Sequence, residues 1–435
     1  MSRRAGRART PAAPQSPHNA NPVAKGLRRT RSVRPTTVPP PLSAAGAGKV
    51  RLGDVLSVKA RIGWQGLTQK EHRETGEYNL VTGTDFVDGK VDFSKCVFVD
   101  KERYDQDENI QLRNGDLLIT KDGTIGKVAV VENMPRPATL NSGVFVVRDV
   151  TSSFLIRYLY HFFLAPEFRK LVDGKLTGCT IAHLNQKVLV NLTIPLPPLS
   201  AQQRIADELD RLCALKKNAE DRLAILDQIV KSRFVEMFGG GCLSDEKQLF
   251  SEICEFVTVG IANSATHVYA ESGVPMLRNQ NIREGSLDDS DLVHIKSEFA
   301  EKYRSKTLKE NDLLIVRTGY PGVSCVVPKK YEGAQTFTTL IARLRDLDET
   351  DPVFVCHYLN SPYGKEYVDK SKVGIAQQNF GARALEGMPI FIPHISLQRE
   401  FAAFVAEVDK SKLTLRETVA TLDQLYRAKL QEYFG

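Results

Sequence analysis

The chain has 435 residues, of which 42% are hydrophobic and 26% charged, and a formal net charge of +7. This length allows two or three domains with cores of their own. No apolar run reaches the ~18 residues of a transmembrane helix, and the seven cysteines include no C-x-x-C pair. These features predict a soluble, cytoplasmic protein without a membrane partner, a disulfide framework or a zinc site.

Residues 1–48 are predicted to form a disordered basic tail, because they are rich in Pro, Ala, Arg, Ser and Thr and have no apolar periodicity. Residues 1–49 hold eight Arg and two Lys and no acidic residue. The remaining 49 basic and 52 acidic residues give residues 50–435 a net charge of −3. The bulk charge is therefore no evidence for nucleic-acid binding. The tail either adds affinity for phosphate or is dispensable.

Residues 49–195 have short β-type runs separated by turn residues, followed by one helical segment. The predicted strands are residues 51–56, two strands around Asp88-Gly89 between residues 78 and 91, and residues 116–120, 127–131 and 143–148. The predicted helix covers residues 154–172. This pattern favours an α+β domain.

Residues 196–239 are predicted to form one long amphipathic helix. Apolar residues recur at alternating steps of four and three, and no Gly or Pro interrupts the segment from Ala201 to Phe238. Ser200 is the expected N-cap and Gly239 the expected C-cap residue, so residues 240–246 read as a linker. A helix of this length spans roughly 58 Å, which is typical of a coiled coil.

The pattern repeats 196 residues later, with a second α+β domain at residues 247–391 and a second long helix at residues 392–435. Without a gap, 12 of 43 positions of the two helices are identical. Basic residues interrupt the apolar stripe at the same places, Lys216 with Lys412 and Arg233 with Lys429. The predicted fold is therefore a pseudo-twofold duplication of an α+β domain followed by a long helix.

No catalytic motif is recognisable. The pair Gly126-Lys127 lacks the rest of a phosphate-binding P-loop, and no Asn-Pro-Pro-aromatic run of an amino-methylating enzyme is present. The G-x-x-G tetrads at residues 123–126 and 319–322 are either tight turns or sites where backbone amides approach a phosphate. We therefore predict no catalytic residue, no metal and no cofactor bound by this chain.

These motifs together resemble the specificity subunit of type I restriction-modification enzymes. The likeness covers residues 49–435 and consists of a Leu-Gly-Asp-Val-like opening, Asp-Leu-Leu-Ile before the G-x-x-G turn, and Ile194-Pro-Leu-Pro-Pro-Leu-Ser-x-Gln-Gln-x-Ile before the long helix. Ala201 stands where the family usually has Glu, and the second copy has His394 and Leu397 in place of Pro and Glu.

The resemblance implies two target recognition domains, each reading one half of a bipartite site on double-stranded DNA. It also implies an antiparallel helix pair that docks two methyltransferase subunits, which bind S-adenosylmethionine, and motor/nuclease subunits for cleavage. Two alternatives are a protein-binding scaffold with paired modules and the recognition subunit of another modification system.

The antiparallel coiled coil is expected to place Leu226 opposite Leu422. A chain that ends near Gly239 is expected to dimerise weakly, since Lys216 and Arg233 would face their own copies or near neighbours. The residues predicted to pack the two helices together are Ile205, Leu209, Leu212, Leu223, Leu226, Val230, Phe401, Val405, Val408, Val419, Leu422 and Tyr426.

Candidate DNA-binding residues are polar side chains of the two variable regions, because base readout favours Arg, Lys, Asn and Gln. The alternative for each is a solvated surface residue. The candidates are Arg61, Trp64, Lys70, Arg73 and Lys121 in the first region and Arg278, Asn279, Gln280, Arg317, Gln377, Gln378 and Asn379 in the second.

Overall fold

A computed structural model describes residues 48–62, 67–173, 183–262, 268–373 and 378–435. The predicted tail, apart from Gly48, and the candidate residues Trp64 and Gln377 lie outside the described residues.

The first half of the chain contains eleven described strands and five described helices. In order these are β1 (Gly48–Arg51), α1 (Leu52–Val55), β2 (Leu56–Lys59), β3 (Tyr78–Val81), β4 (Phe86–Val87), β5 (Lys90–Val91), β6 (Val97–Val99), α2 (Lys101–Asp105), β7 (Leu117–Thr120), β8 (Val128–Val130), β9 (Ala138–Leu140), β10 (Val144–Asp149), α3 (Ile156–Leu164), α4 (Pro166–Asp173), α5 (Gln186–Val190) and β11 (Thr193–Leu196).

Two predicted elements of this half are wrong in part. The expected strand at residues 51–56 contains the short helix α1 between β1 and β2. The expected helix at residues 154–172 is divided into α3 and α4 at Ala165, whose backbone is extended. Pro166 lacks the N–H that a continuous helix needs and begins α4 instead. The predicted hairpin at Asp88-Gly89 forms between β4 and β5, with φ of +48° and +76° at these two residues.

The central helix α6 (Leu199–Leu243) begins after the predicted start at residue 196 and continues beyond the predicted end at residue 239. Ser200 lies inside the helix, and the N-cap position belongs to Pro198. Helix α6 also continues through three glycines that were expected to end it and to open a linker. A Cβ at Gly239 would lie 2.9 Å from Tyr363 Oη, and one at Gly241 would overlap the Phe391 ring. Gly239 and Gly241 therefore allow close packing against the second half.

The second half contains twelve described strands and six described helices. In order these are β12 (Gln248–Leu249), α7 (Phe250–Ile253), β13 (Cys254–Val259), β14 (Tyr269–Ala270), β15 (Val274–Leu277), β16 (Ile282–Arg283), β17 (Ser286–Leu287), β18 (Val293–Ile295), α8 (Ser297–Lys302), β19 (Leu313–Ile315), β20 (Ser324–Val326), β21 (Gln335–Thr336), β22 (Leu340–Leu344), α9 (Pro352–Asn360), α10 (Pro362–Ser371), α11 (Ala382–Glu386), β23 (Pro389–Ile390) and the C-terminal helix α12 (Ile395–Phe434).

The sheets of the two halves share one topology. Their common strands run β2-β10-β7-β8 in the first half and β13-β22-β19-β20 in the second, all antiparallel. Each half also has a second sheet with one parallel pair, β3 with β9 and β15 with β21. In each half the first strand pairs with the strand that precedes the long helix, β1 with β11 and β12 with β23. The predicted α+β duplication is confirmed.

Helices α6 and α12 pack antiparallel, and two ion pairs define their register. Lys216 Nζ lies 2.7 Å from Asp423 Oδ1, and Lys412 Nζ lies 2.7 Å from Asp227 Oδ1. This register places Leu226 beside Ser411 and Leu415, with which it lines an open groove, rather than opposite Leu422. The expected pairing of Leu226 with Leu422 is therefore wrong.

The predicted packing residues of the helix pair differ in burial. Tyr426 donates or accepts a 2.9 Å hydrogen bond with Nδ1 of the buried His161 on α3, and His161 Nε2 bonds Asp210. Ile205, Leu209, Leu212, Val230, Phe401, Val405 and Val408 are buried, whereas Leu223, Leu226, Val419, Leu422 and Tyr426 are half-buried.

The C-terminal end of each long helix packs against the other half of the chain: α6 against the second half and α12 against the first half. Phe238 of α6 packs on Phe354 of α9, with ring centroids 4.9 Å apart. Phe434 of α12 packs on Tyr158 and Phe162 of α3, at 5.2 and 5.7 Å. Aromatic rings at these separations and the area that they bury stabilise both junctions.

Each long helix begins with a buried glutamine that anchors it to its own half. The Gln202 side chain accepts a 2.9 Å bond from Leu155 N and donates to the carbonyls of Ser153 and Pro197. The Gln398 side chain makes the three equivalent bonds, to Asp351 N and to the carbonyls of Glu349 and Pro393. Both side chains are 0% exposed. The Gln of the Pro-Pro-Leu-Ser-x-Gln motif is thus a structural anchor.

Candidate nucleic-acid interface

The central sheet of each half has two different ends, which we name the helix end and the loop end. At the helix end of the first half, β10 finishes at Asp149, and the segment that follows it is held by Gln202. At the loop end, β10 starts and β7 finishes, since Val144 pairs with Thr120. The G-x-x-G turn and the residues around Asn141 and Leu184 gather there, because Asn141 N donates to Val81 O and Leu184 N to Lys121 O. The loop end therefore gathers turns and loop segments, whereas the helix end is held against the long helix.

In the second half, five polar side chains meet at the loop end. Arg317 Nε donates a 2.9 Å hydrogen bond to Asn379 Oδ1. Asn279 Nδ2 donates to the Thr318 hydroxyl at 3.2 Å, and the Tyr320 hydroxyl donates to the Asn279 carbonyl. Tyr320 is 41% exposed. These groups are donors and acceptors of the kind that read base edges.

The loop end of the first half holds a different set of side chains at the same positions. Lys121 and His183 are the counterparts of Arg317 and Asn379 at the 196-residue offset. The Lys121 ammonium lies 5.6 Å from the centroid of the Phe145 ring, and His183 Nδ1 lies 2.6 Å from Asp122 Oδ1. The scaffold is the same in the two halves, whereas the chemistry presented at the loop end differs.

The G-x-x-G tetrads are tight turns, as one of the two interpretations expected. Gly123, Gly126, Gly319 and Gly322 have φ between +68° and +91°. Gly126 N donates to Thr120 O and Gly322 N to Val316 O, both at 2.9 Å. The left-handed backbone explains the glycines without a bound phosphate.

Four of the other candidate residues have partners within the protein. Arg61 is 1% exposed and its guanidinium bonds the Leu140 carbonyl and the Thr139 hydroxyl, so the expectation of an exposed side chain is wrong for Arg61. Burial, together with the neighbouring Arg103, lowers its pKa. The others with partners are Arg73, which pairs with Asp100, and Arg278 and Gln280, which both bind Asp291; Lys70 and Gln378 are exposed.

Four side chains at the loop ends were not predicted from the sequence: Asp122, His183, Thr318 and Tyr320. His183 and Asp122 are 61 residues apart, and neither belongs to a motif. The repeat could have indicated His183, since it lies 196 positions before the candidate residue Asn379.

The Asp of each Asp-Leu-Leu-Ile motif is structural. Asp116 binds Arg148 and Asp312 binds Arg343, with Nε–Oδ1 distances of 2.7 Å in both pairs. Asp312 is 1% exposed. Its hydrogen bond raises the pKa of Arg343, as that of Asp116 does for Arg148. This motif therefore holds β7 to β10 and β19 to β22.

An open groove of about 760 Å³ runs along the helix pair, lined by the second part of α6 and by Phe404 of α12. Several exposed lining residues recur on α12 at the 196-residue offset. Ala224, Gln228 and Glu236 are identical to Ala420, Gln424 and Glu432, and Ile229 and Leu425 are each 43% exposed. Folding alone does not require identical exposed residues, so these positions mark two equivalent surfaces.

Among the described residues, no cluster of three or more His, Cys, Asp or Glu side chains is placed to hold a metal ion. In the same part of the chain, no helix has the length and apolar character needed to cross a membrane. The described residues form an α+β protein whose two halves share one scaffold, differ at their loop ends and are joined by a helix pair.

Comparison with known proteins gives the family of this protein. The family described as "Type I restriction modification DNA specificity domain" matches residues 46–225 and again residues 246–424. The chain belongs to this family, and the resemblance found in the sequence is confirmed.

Relatives and solved structures agree with this membership. The specificity subunit of the type I restriction enzyme EcoKI from Escherichia coli K12 is 22% identical over 382 residues, 82% of this chain and 81% of the relative. The EcoBI specificity subunit from Escherichia coli is 21% identical over 354 residues, 73% of each chain. The type I S subunit from M. genitalium has a similar fold, with a TM-score of 0.50 and 13% identity over 89% of this chain and 96% of the other. A second chain, from work on complex assembly and conformational transition of the type I R-M system, has a TM-score of 0.54 and 17% identity over 88% and 96%.

Proposed function

We propose that this chain gives a type I restriction-modification enzyme its DNA sequence specificity. Residues 49–195 and 247–391 act as target recognition domains, each reading one half of a bipartite site on double-stranded DNA, and α6 with α12 fixes the distance between them. The observation that carries this proposal is the combination of one repeated scaffold with two different loop ends. A protein that read two identical half-sites would need no such difference.

Two methyltransferase subunits dock on the helix pair in this proposal. Its support is the repetition of exposed residues along the groove, Ala224 with Ala420 and Gln228 with Gln424. Two copies of one partner, related by the internal twofold, would each meet the same residues. Phe404 and Glu208 occupy equivalent positions and differ, so the two copies would bind with unequal strength.

Catalysis belongs to the partners in this proposal. The methyltransferase subunits would supply S-adenosylmethionine and the chemistry of methyl transfer, and motor/nuclease subunits would supply cleavage. This chain would contribute positioning of the DNA only. The reducing cytoplasm is the proposed compartment, which suits the free thiols of the described cysteines.

A protein-binding scaffold with paired modules is the alternative, and binding to DNA separates the two functions. Fluorescence anisotropy with a mixed-sequence DNA duplex would be measured for the full chain, with and without a type I methyltransferase subunit. We expect binding that strengthens with the subunit, and methylation only when the subunit is present. Absence of duplex binding under both conditions would favour the scaffold, and methyl transfer by the chain alone would refute the division of labour.

A further inference from the structure

Arg317 and Asn379 are held together at the loop end of the second half by both backbone and side chain. The Arg317 carbonyl accepts a 2.9 Å bond from Phe380 N, the residue after Asn379. Asn379 exchanges backbone bonds with Val373, 2.9 and 3.0 Å long, and forms a bridge with Thr318. The turn after Arg317 is fixed by the positive φ of Gly319 and Gly322. The two side chains therefore meet where backbone hydrogen bonds join their two segments.

We propose that Arg317 reads a guanine in the second half-site and that Asn379 is its positioning residue. The inference rests on the proposed DNA-specificity function. An arginine has five donors in one plane, of which Nε is occupied by Asn379 Oδ1. This bond fixes the plane and leaves the two terminal nitrogens as the fork. Guanine presents two coplanar acceptors, O6 and N7, to such a fork in the major groove.

Phosphate oxygens offer the same pair of acceptors, and the surroundings of Arg317 favour the base. Asn279, Thr318 and Tyr320 lie around the pair and bond one another. Amide and hydroxyl groups bond phosphates as well as base edges, and only a base contact carries sequence information. The bond from Arg317 Nε to Asn379 holds the guanidinium as the planar fork that matches guanine. In the first half, Lys121 occupies the place of Arg317 and has no forked donor, and the neighbours are Asp122 and His183. The two halves therefore present different side chains at their loop ends, as two domains that read different half-sites would need.

The test is selection from a randomised double-stranded DNA library by the full chain with a type I methyltransferase subunit added. The parent protein should select a bipartite site with one invariant guanine in the half read by residues 247–391. Arg317→Lys, which installs the residue of the first half, should relax the preference for that guanine by about tenfold or more. The positions of the other half-site should stay unchanged.

Asn379 is tested by two variants of different chemistry. Asn379→Asp keeps an oxygen that accepts the bond from Arg317 Nε, so the guanine preference should persist. Asn379→Leu removes the acceptor, so it should weaken the preference for the same guanine as Arg317→Lys does. Its melting temperature should be similar to that of Asn379→Asp. Arg304→Ala removes an 83% exposed guanidinium of the same half and serves as the charge control, and its selected site should match the parent site.

The outcomes separate this inference from the proposed function. If the parent protein selects no site, the DNA-specificity function itself fails. If the parent selects a bipartite site that Arg317→Lys leaves unchanged, Arg317 does not read a base. Equal weakening on every sequence would make Arg317 a phosphate contact and overturn the inference.

Discussion

Lys216 of the central helix and Asp423 of the C-terminal helix form an ion pair whose counterpart, 196 residues away, joins the same helices with their roles exchanged. Lys412 and Asp227 make that second pair at the same 2.7 Å distance. The basic interruptions of the apolar stripe are therefore matched to acidic residues on the opposite helix. In a symmetric dimer of the first half, the same register would bring Lys216 to Asp227 of the other copy, whereas the sequence alone predicts that Lys216 faces its own copy or a near neighbour.

A shortened chain that ends after Leu243 should dimerise through α6. Its two Lys216–Asp227 pairs would replace the two pairs of the intact protein, and Phe238 would pack on Tyr158 of the other copy in place of Phe434. Light scattering at several concentrations should show a dimer. Asp227→Lys in the shortened chain sets two lysines against each other, and dimerisation should weaken. A monomer at all concentrations would contradict the prediction.

Gln202→Leu should lower the free energy of unfolding by about 3 kcal/mol, because the Leu155 N–H, the Ser153 carbonyl and the buried Pro197 carbonyl lose their partner. Gln398→Leu should have a similar cost at the other helix start. Gln203→Leu is the matched control, since the exposed Gln203 bonds only its neighbour Asp207 and should change stability by less than about 0.5 kcal/mol. Denaturant unfolding measures all three, and equal stability of Gln202→Leu and Gln203→Leu would disprove the anchor.

Neighbouring glycines of α6 should respond to alanine in opposite directions. Gly241→Ala places a methyl group in the Phe391 ring, which should destabilise the fold by about 1–3 kcal/mol. A Cβ at Gly240 meets no atom within 4 Å, so Gly240→Ala should stabilise the helix by about 0.5–1 kcal/mol. Thermal melts of the two variants test whether these glycines serve packing. A rise in Tm for Gly241→Ala would show that they do not.

The sequence predicted the long helices and the duplication, because a 3.6-residue period and a constant offset between two segments can both be read from the order of residues alone. Such patterns failed where a residue's role depends on a distant neighbour. The sequence around Gly239 does not show that Tyr363 packs against this glycine. Glycine is typical both of a helix end and of a close contact. Arg61 is polar and lies in a variable region, and only the fold shows that its guanidinium bonds Leu140 and Thr139. His183 and Asp122 likewise meet only because the fold brings their two segments together at the loop end.

Acid should destabilise the protein through His357. Burial, with help from Lys412 and Lys231 and against Glu284, lowers the pKa of His357 to about 4 from its ordinary value of about 6.5. Between these values the unfolded chain binds more protons than the folded one, so stability falls as the pH drops from about 6.5 to about 4, by about 3 kcal/mol in all. His357→Phe should flatten this part of the pH profile of unfolding. His394→Asn, at an exposed histidine, should keep the parent profile.

The exposed residues repeated on the two long helices predict the stoichiometry of the complex. Ile229→Glu and Leu425→Glu each place a charge on one of two equivalent exposed surfaces. Each single variant should lose one methyltransferase subunit, and the double variant should lose both, as measured by the mass of the complex. Lys410→Ala, at a 72% exposed residue of α12 outside the groove, is the control. Two bound subunits in the double variant would exclude this face.

The crossed packing of the helix ends orders events during synthesis. Helix α3 is synthesised early. The ring that covers its Tyr158 and Phe162 belongs to Phe434, which is synthesised about 270 residues later. Until α12 arrives, the first half keeps an uncovered aromatic surface that a chaperone or a wrong partner can reach. Its final folding step is therefore tied to completion of the second half, and the two halves should reach the native state together.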